Sequence, residues 1–298
     1  MTGRAEPANG PRRGRGLAAA LWRHPRAQLG LLLAAPLSWL VIAYLGSLAL
    51  FLITSLWSVD SFSGNLVTTP TLKNYQAIAA TEVYRTIAVR TVVMATLVTL
   101  TAIAVAFPIA FYMARVASPR TRGILIVSIL LPLWSGYLVK VYAWRLILSQ
   151  NGVLNWALDP LGITGPGYSD VAVWLVETYL WLPYMIIPIY AGLERIPSSL
   201  LEASSDLGGR VGITFRRVIL PLALPAVVAG SIFTFSLTLG DYIAPQLVSN
   251  SKFIGTVVYD FMGVAGNQPF AAAYAMIPVT IMLVYLLVAR RLGAFEAL

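Results

Sequence analysis

Six stretches of this chain run for about twenty residues or more with almost no charge. An α-helix needs about 20 mainly apolar residues to cross roughly 30 Å of hydrocarbon, so each stretch is long enough to span a bilayer. The first lies near 29–57 and holds no charge between Leu29 and Trp57. The second, near 86–114, is interrupted by Arg90 close to its start. The third, near 123–148, carries Lys140 and Arg145 in its last turns. The fourth, near 171–192, carries Glu177, and the fifth, near 221–247, carries Asp241. The sixth, near 271–289, is free of charge. Of the 298 residues, 58% are hydrophobic and 11% are charged, against about 45–50% and about 25% in soluble domains. That depletion excludes a soluble enzyme, a disordered protein and a nucleic-acid-binding domain. With no cysteine, there are no disulfides, thiolate metal sites or cysteine nucleophiles. The single histidine, His24, sits in a basic N-terminal stretch, which excludes a histidine metal cluster or proton relay. The expected fold is all-α: a polytopic membrane protein with six transmembrane helices.

The net charge of +9 is a topology signal. With the N-terminus inside, fifteen Lys and Arg fall on inner segments and six on outer ones. This asymmetry places both termini in the cytoplasm, with attraction to anionic lipid as a secondary role. The stretch from Met1 to Arg26 is basic and rich in Pro and Gly, and the apolar run after it is too long for a signal peptide. It reads as a disordered cytoplasmic tail before a retained helix.

The organisation expected is a basic tail over 1–28, a first transmembrane helix over 29–57, an outer segment over 58–85, a five-helix core over 86–291 and a C-terminal tail over 292–298. Gly64, Asn65 and Pro70 break structure in the outer segment. Residues 149–170 read as an Asn151-Gly152 turn, a short amphipathic stretch expected on the membrane surface (Val153, Leu154, Trp156, Leu158), and a Pro/Gly loop. Trp134, Trp144, Trp156 and Trp174 suit interface depth or ordinary helix packing equally. No G-x-x-x-G motif marks a helix pair.

Residues 194–221 are unusual for a connection between membrane helices. Ser199 and Glu202 have capping-box spacing after Pro197, and Gly208-Gly209 is a strong helix stop. Leu200, Ala203 or Ser204, and Leu207 share one face, and Glu202 and Asp206 another. A short helix, a tight turn and a second helix leading into the fifth span are predicted. An exposed apolar stripe on such a helix suits docking into a groove. A helix lying on the bilayer would need a basic polar face, and this one is acidic.

The same segment resembles the signature of binding-protein-dependent ABC importer permeases, which reads Glu-Ala-Ala, three residues, Gly, nine residues, Ile, one residue, Leu-Pro. Here Glu202-Ala203-Ser204 opens it, Gly208 follows, Val218 stands nine residues on, and Leu220-Pro221 closes it. Ser204 and Val218 are conservative departures. Thr71-Leu72-Lys73-Asn74-Tyr75, the run from Leu131 to Tyr142, the run from Leu148 to Asn155 and Gln268-Pro269-Phe270-Ala271-Ala272-Ala273 are similar to the spermidine/putrescine branch of that family. The resemblance implies a type I (MetI-like) importer permease fold in a bacterial inner membrane. It implies coupling helices at about 196–220, with Glu202, Ala203, Asp206, Leu207, Gly208, Leu220 and Pro221 as ATPase-coupling residues. It also implies partners: a dimer of ATPase subunits holding ATP and Mg, a second permease subunit in a hetero- or homodimer, and a substrate-binding protein outside. Driven by the ATPases, the 199–208 helix would act as a rigid lever, tilting spans three to five.

A charged side chain mid-membrane costs about 2.5–3.5 kcal/mol on insertion and usually faces a cavity or partner. Asp241, between Gly240 and Pro245, has Tyr242 beside it and suits a cationic amine. The alternative is a buried pair with Lys140 or Arg145 of span three. Glu177, near Tyr179 and Trp181, is a second pathway candidate, although its place within two turns of the outer end favours snorkelling, as it does for Arg90. No Gly-x-x-x-x-Gly-Lys-Ser/Thr loop occurs, so ATP hydrolysis is not expected in this chain. The chain reads as a non-catalytic permease subunit that binds no cofactor of its own and carries polyamines or another small solute such as an opine. A stand-alone secondary carrier or channel, with Asp241 and Glu177 as ion-coupling residues, is the competing class. Six spans without a repeat and the docking signature count against it.

Overall fold

The computed structural model describes residues 25–60 and 62–291. Most of the expected basic tail, with His24, and the tail at 292–298 lie outside the described residues. Among the described residues five helices are long and apolar enough to cross a membrane, or six if one sharply bent pair is counted as a single span.

The first span forms a unit of its own. It runs as α1 (Pro25–Trp39), a π-helical turn (Leu40–Leu45) and α2 (Gly46–Thr54). From Leu29 to Leu45 its exposed apolar side chains lie on every face, as a lipid-bathed helix requires.

The second unit begins with a two-residue antiparallel hairpin, β1 (Ser58–Val59) with β2 (Leu66–Val67), the one departure from an all-helical chain among the described residues. Asp60 closes its turn by accepting from the backbone N–H groups of Phe62 and Ser63, and these bonds hold its carboxyl below the usual carboxylate range. The short helix α3 (Lys73–Ala80) follows. Buried Asn74 donates to the carbonyls of Ser55 and Trp57, at 3.3 and 2.7 Å.

The core is built on α4 (Glu82–Arg115), α8 (Asp170–Glu194) and α11 (Leu220–Gly240). Arg90 pairs with Asp170 near the starts of α4 and α8, while Arg115 reaches Leu193 at their ends, so these helices run parallel. In α11, Ala226 meets Gly192 and Gly230 meets Met185, so it runs antiparallel to α8. Lipid tails are as apolar as leucine, so helix association depends on close packing. Ala102, Ala106 and Ala110, one turn apart on α4, are buried in the cluster that holds Met185, Ile189 and Leu193 of α8 and Ala223 of α11. A Cβ on Gly192 would overlap that of Ala226. Gly192→Val is therefore expected to cost about 1–3 kcal/mol, read as a lower unfolding temperature in detergent, whereas Gly240→Val, at a position with open space, is not.

The third apolar run is not one straight helix. It divides into α5 (Pro119–Trp134) and α6 (Tyr137–Leu148), with a bend of 94°. At 1.5 Å per residue, neither half alone crosses about 30 Å. Pro132 weakens the last turn of α5 by lacking an N–H, Ser135 turns extended at ψ 142°, and α6 restarts after Gly136. The fifth run also breaks where Asp241 takes extended angles, φ −70° and ψ 135°, before the short helix α12 (Ile243–Val248). The helices α7 (Val153–Leu158), α13 (Ile254–Gly263) and α14 (Gln268–Arg291) complete the described chain beyond the coupling segment.

Candidate functional site: a buried carboxylate cluster and an exposed docking segment

The two helix breaks meet. Tyr137, the first residue of α6, donates its hydroxyl to Asp241 Oδ2, and Asp241 Oδ1 accepts from the Ile243 N–H at 2.9 Å, a local turn bond favoured by aspartate. Glu177 and Trp181, one turn apart on α8, lie on the same helix face. Trp181 stacks on Tyr137 at 5.8 Å between centroids and 12° between planes. Glu177 interacts electrostatically with Asp241. At 1% exposure Glu177 is fully buried, which corrects the expectation that it snorkels. Depth along its own helix does not decide the matter: α4, α6, α11 and α12 contribute to the cluster around it. Thr238 of α11 lies against the Glu177 carboxyl, and Trp181 Nε1 is buried without a hydrogen-bond partner, in a setting where unmet polar groups are costly.

The alternative of a buried ion pair for Asp241 is overturned. Among the described residues the ion pairs are Arg90–Asp170, Arg122–Glu194 and Lys252–Asp260. Arg145 instead lies over the Tyr168 ring at 5.7 Å. Arg90 does not merely snorkel, since it also donates to the Lys252 carbonyl. Tyr242 stands apart from the cluster expected around it and stacks on Tyr259 of α13 at 4.9 Å. Tyr137 is the residue that sequence reading missed. Its one signal was position, directly after Gly136 at a proline-weakened helix end.

The second feature is the segment expected to couple. Helix α9 (Ser198–Asp206) begins at Ser198 with Pro197 as its N-cap and no side-chain cap bond, so Ser199 and Glu202 form no capping box. Buried Ile196 and the extended Pro197 fix the entry two residues earlier than the spacing suggested. Gly208, at φ +77°, ends the helix. The Gly209 N–H donates to the Ser204 carbonyl at 2.8 Å, and a Cβ on Gly209 would sit 2.6 Å from that oxygen. Helix α10 (Val211–Thr214) and a π-helical turn (Phe215–Ile219) lead into α11. Leu201 and Phe215 pack on the core, and Ser204 bonds Thr214 at 2.8 Å. The opposite face is free: Leu207 is 90% and Val211 89% exposed, and Leu200 is exposed beside them. Glu202, Ala203, Asp206, Gly208, Leu220 and Pro221 are exposed as well.

A multi-pass bundle with two broken helices meeting at membrane carboxyl groups, and with an exposed apolar face on a short helix, has the build of a membrane transport subunit. The family described as the inner membrane component of binding-protein-dependent transport systems matches residues 77–294, and the chain belongs to it. It is 44% identical over 293 residues to the inner membrane ABC transporter permease protein YdcU of Escherichia coli K12, covering 93% of each chain. It is 29% identical to the spermidine/putrescine transport system permease protein PotB of Haemophilus influenzae, covering 80% of this chain and 85% of that one. The fold is similar to a chain in the crystal structure of a bacterial ABC transporter involved in the import of the acidic polysaccharide alginate (TM-score 0.69, 15% identity, 93% and 98% covered). It is also similar to a chain in the complex of an alginate transporter with its pentasaccharide-bound periplasmic protein (TM-score 0.72, 14% identity, 96% and 98% covered). The chain is thus a multi-pass permease subunit of an ABC importer, with the MetI-like fold.

Proposed function

We propose that this permease carries polyamines, and that Asp241 and Glu177 meet the ammonium groups in transit. The observation behind this is the pair of carboxyl groups at the junction of two helix breaks, Glu177 buried and Asp241 part-buried, with no cationic side chain paired to them among the described residues. An intramembrane carboxylate costs too much to persist without a task. Tyr137 and Trp181 add aromatic rings, on whose faces a cation is held. An acidic sugar polymer such as the one carried by the alginate importers would be repelled by the same pair. The likeness to PotB supports the cationic reading.

The remaining parts follow from the exposed segment. ATP and Mg sit on a separate pair of ATPase subunits, which dock against α9 through Leu200, Ala203 and Leu207, with Glu202 and Asp206 beside them. A second permease subunit completes the pathway, a binding protein delivers solute from outside, and both termini of this chain are cytoplasmic. Uptake of labelled spermidine and putrescine tests the substrate, in cells that supply every other component and differ in this chain. Saturable uptake that unlabelled polyamine competes away is expected with the chain present. Equal uptake in both strains, with the ATPase still co-purifying, would remove polyamines as the substrate.

A further inference from the structure

We infer that Arg115 is a positioning residue that locks the coupling helix to α4, so that a push on α9 is delivered to the spans rather than absorbed in the 193–197 linker. This rests on the reading of α9 as the ATPase-docking helix. The Arg115 Nη2 group donates to two carbonyls, Leu193 at 2.6 Å and Ile196 at 2.7 Å. The last carbonyls of a helix lack partners within it, and a positive group at this end is favoured by the helix dipole. One nitrogen therefore closes the C-terminus of α8 and also holds the residue next to Pro197, the N-cap of α9. Pro197 itself has a fixed φ. Between the last turn of α8 and the first of α9, little backbone freedom remains.

Arg122, in the first turn of α5, completes the junction. It donates from Nη1 to Glu194 at 3.2 Å, from Nε to the Met113 carbonyl at 3.0 Å and from Nη2 to the Ala114 carbonyl at 3.5 Å. The end of α4, the start of α5 and the end of α8 are thus fastened at the root of α9. Beneath them, Met113, Leu193 and Ile196 are buried in one cluster. A lysine ammonium is more strongly hydrated than a guanidinium, so arginine is favoured at this part-buried place. The Arg115 Nε–H is buried without a partner, so the side chain is held in place by its terminal nitrogen alone.

The test uses the complete importer in lipid vesicles. Arg115→Ala is expected to retain ATPase docking and ATP hydrolysis, while solute imported per ATP falls about tenfold. Arg115→Met removes the donors but keeps much of the side chain's bulk, and carries the test if the alanine variant does not assemble. The chain has no native cysteine, so spin labels at Ser205→Cys, exposed on α9, and at Tyr112→Cys report on the junction directly. Their separation should stay the same with and without ATP in the parent, and should shift or broaden with ATP in the Arg115 variants. Parental import per ATP, or a parental separation in both nucleotide states, in a variant would overturn the inference while leaving α9 as the docking helix. If Gly208→Arg in the same vesicles imported normally, the docking reading would fail and the inference with it.

Discussion

Gly208→Arg should abolish import while leaving the chain folded in the membrane. The left-handed conformation at φ +77° costs a side chain about 1–3 kcal/mol. Nothing lies within 4 Å of where its Cβ would be, so the strain stays local and the spans are untouched. The damage falls on the docking face. Gly208 adjoins Leu207, whose exposed apolar side chain has no other visible use. Central interface residues cost about 2–4 kcal/mol when spoiled, roughly 30- to 1,000-fold in the docking constant. The ATPase should no longer co-purify with the variant, although the variant itself elutes as a single species. Normal co-purification and import would show that α9 is not the coupling helix.

Asp241→Asn should have the second largest effect. The amide oxygen can still accept from the Ile243 N–H, and the amide N–H can donate to the Tyr137 hydroxyl oxygen in place of the bond that Tyr137 now donates, so the junction of the two breaks is preserved. What disappears is the charge. A hydrogen bond to a charged group contributes about 1.5–3 kcal/mol, so import of a polyamine at low concentration should fall roughly 10- to 150-fold. Glu177→Gln should act in the same direction. Solute binding by the separate soluble protein should be unchanged in either variant, which places the loss in the membrane step. Undiminished uptake by Asp241→Asn would leave the carboxylate a purely structural role.

The features legible in the sequence are those written in one continuous stretch. Uncharged runs marked the spans, Gly208 marked the end of α9, and Gly240 with Pro245 marked a weakness in the fifth span. Pro132 and Gly136 signalled the break between α5 and α6, but the apolar run across them outweighed both. The alanines at 102, 106 and 110 form the close-packing ladder of α4, yet in an alanine-rich chain nothing in their spacing singles them out. The burial of Glu177 and the bond from Tyr137 depend on pairing distant parts of the chain. Tyr137 and Asp241 are 104 residues apart, and no local pattern encodes that meeting. The capping-box spacing at Ser199 and Glu202 misled because Ile196 and Pro197 fix where α9 starts.

Reconstitution separates an ATP-driven permease from a self-sufficient carrier most directly. The chain would be placed in vesicles alone, and also with its ATPase, second permease subunit and solute-loaded binding protein. Labelled polyamine should accumulate only in the complete assembly and only with ATP on the ATPase side, while the chain alone should import nothing under an imposed proton or sodium gradient. Gradient-driven import by the chain alone, without ATP, would contradict its role as the membrane half of an ATP-driven importer.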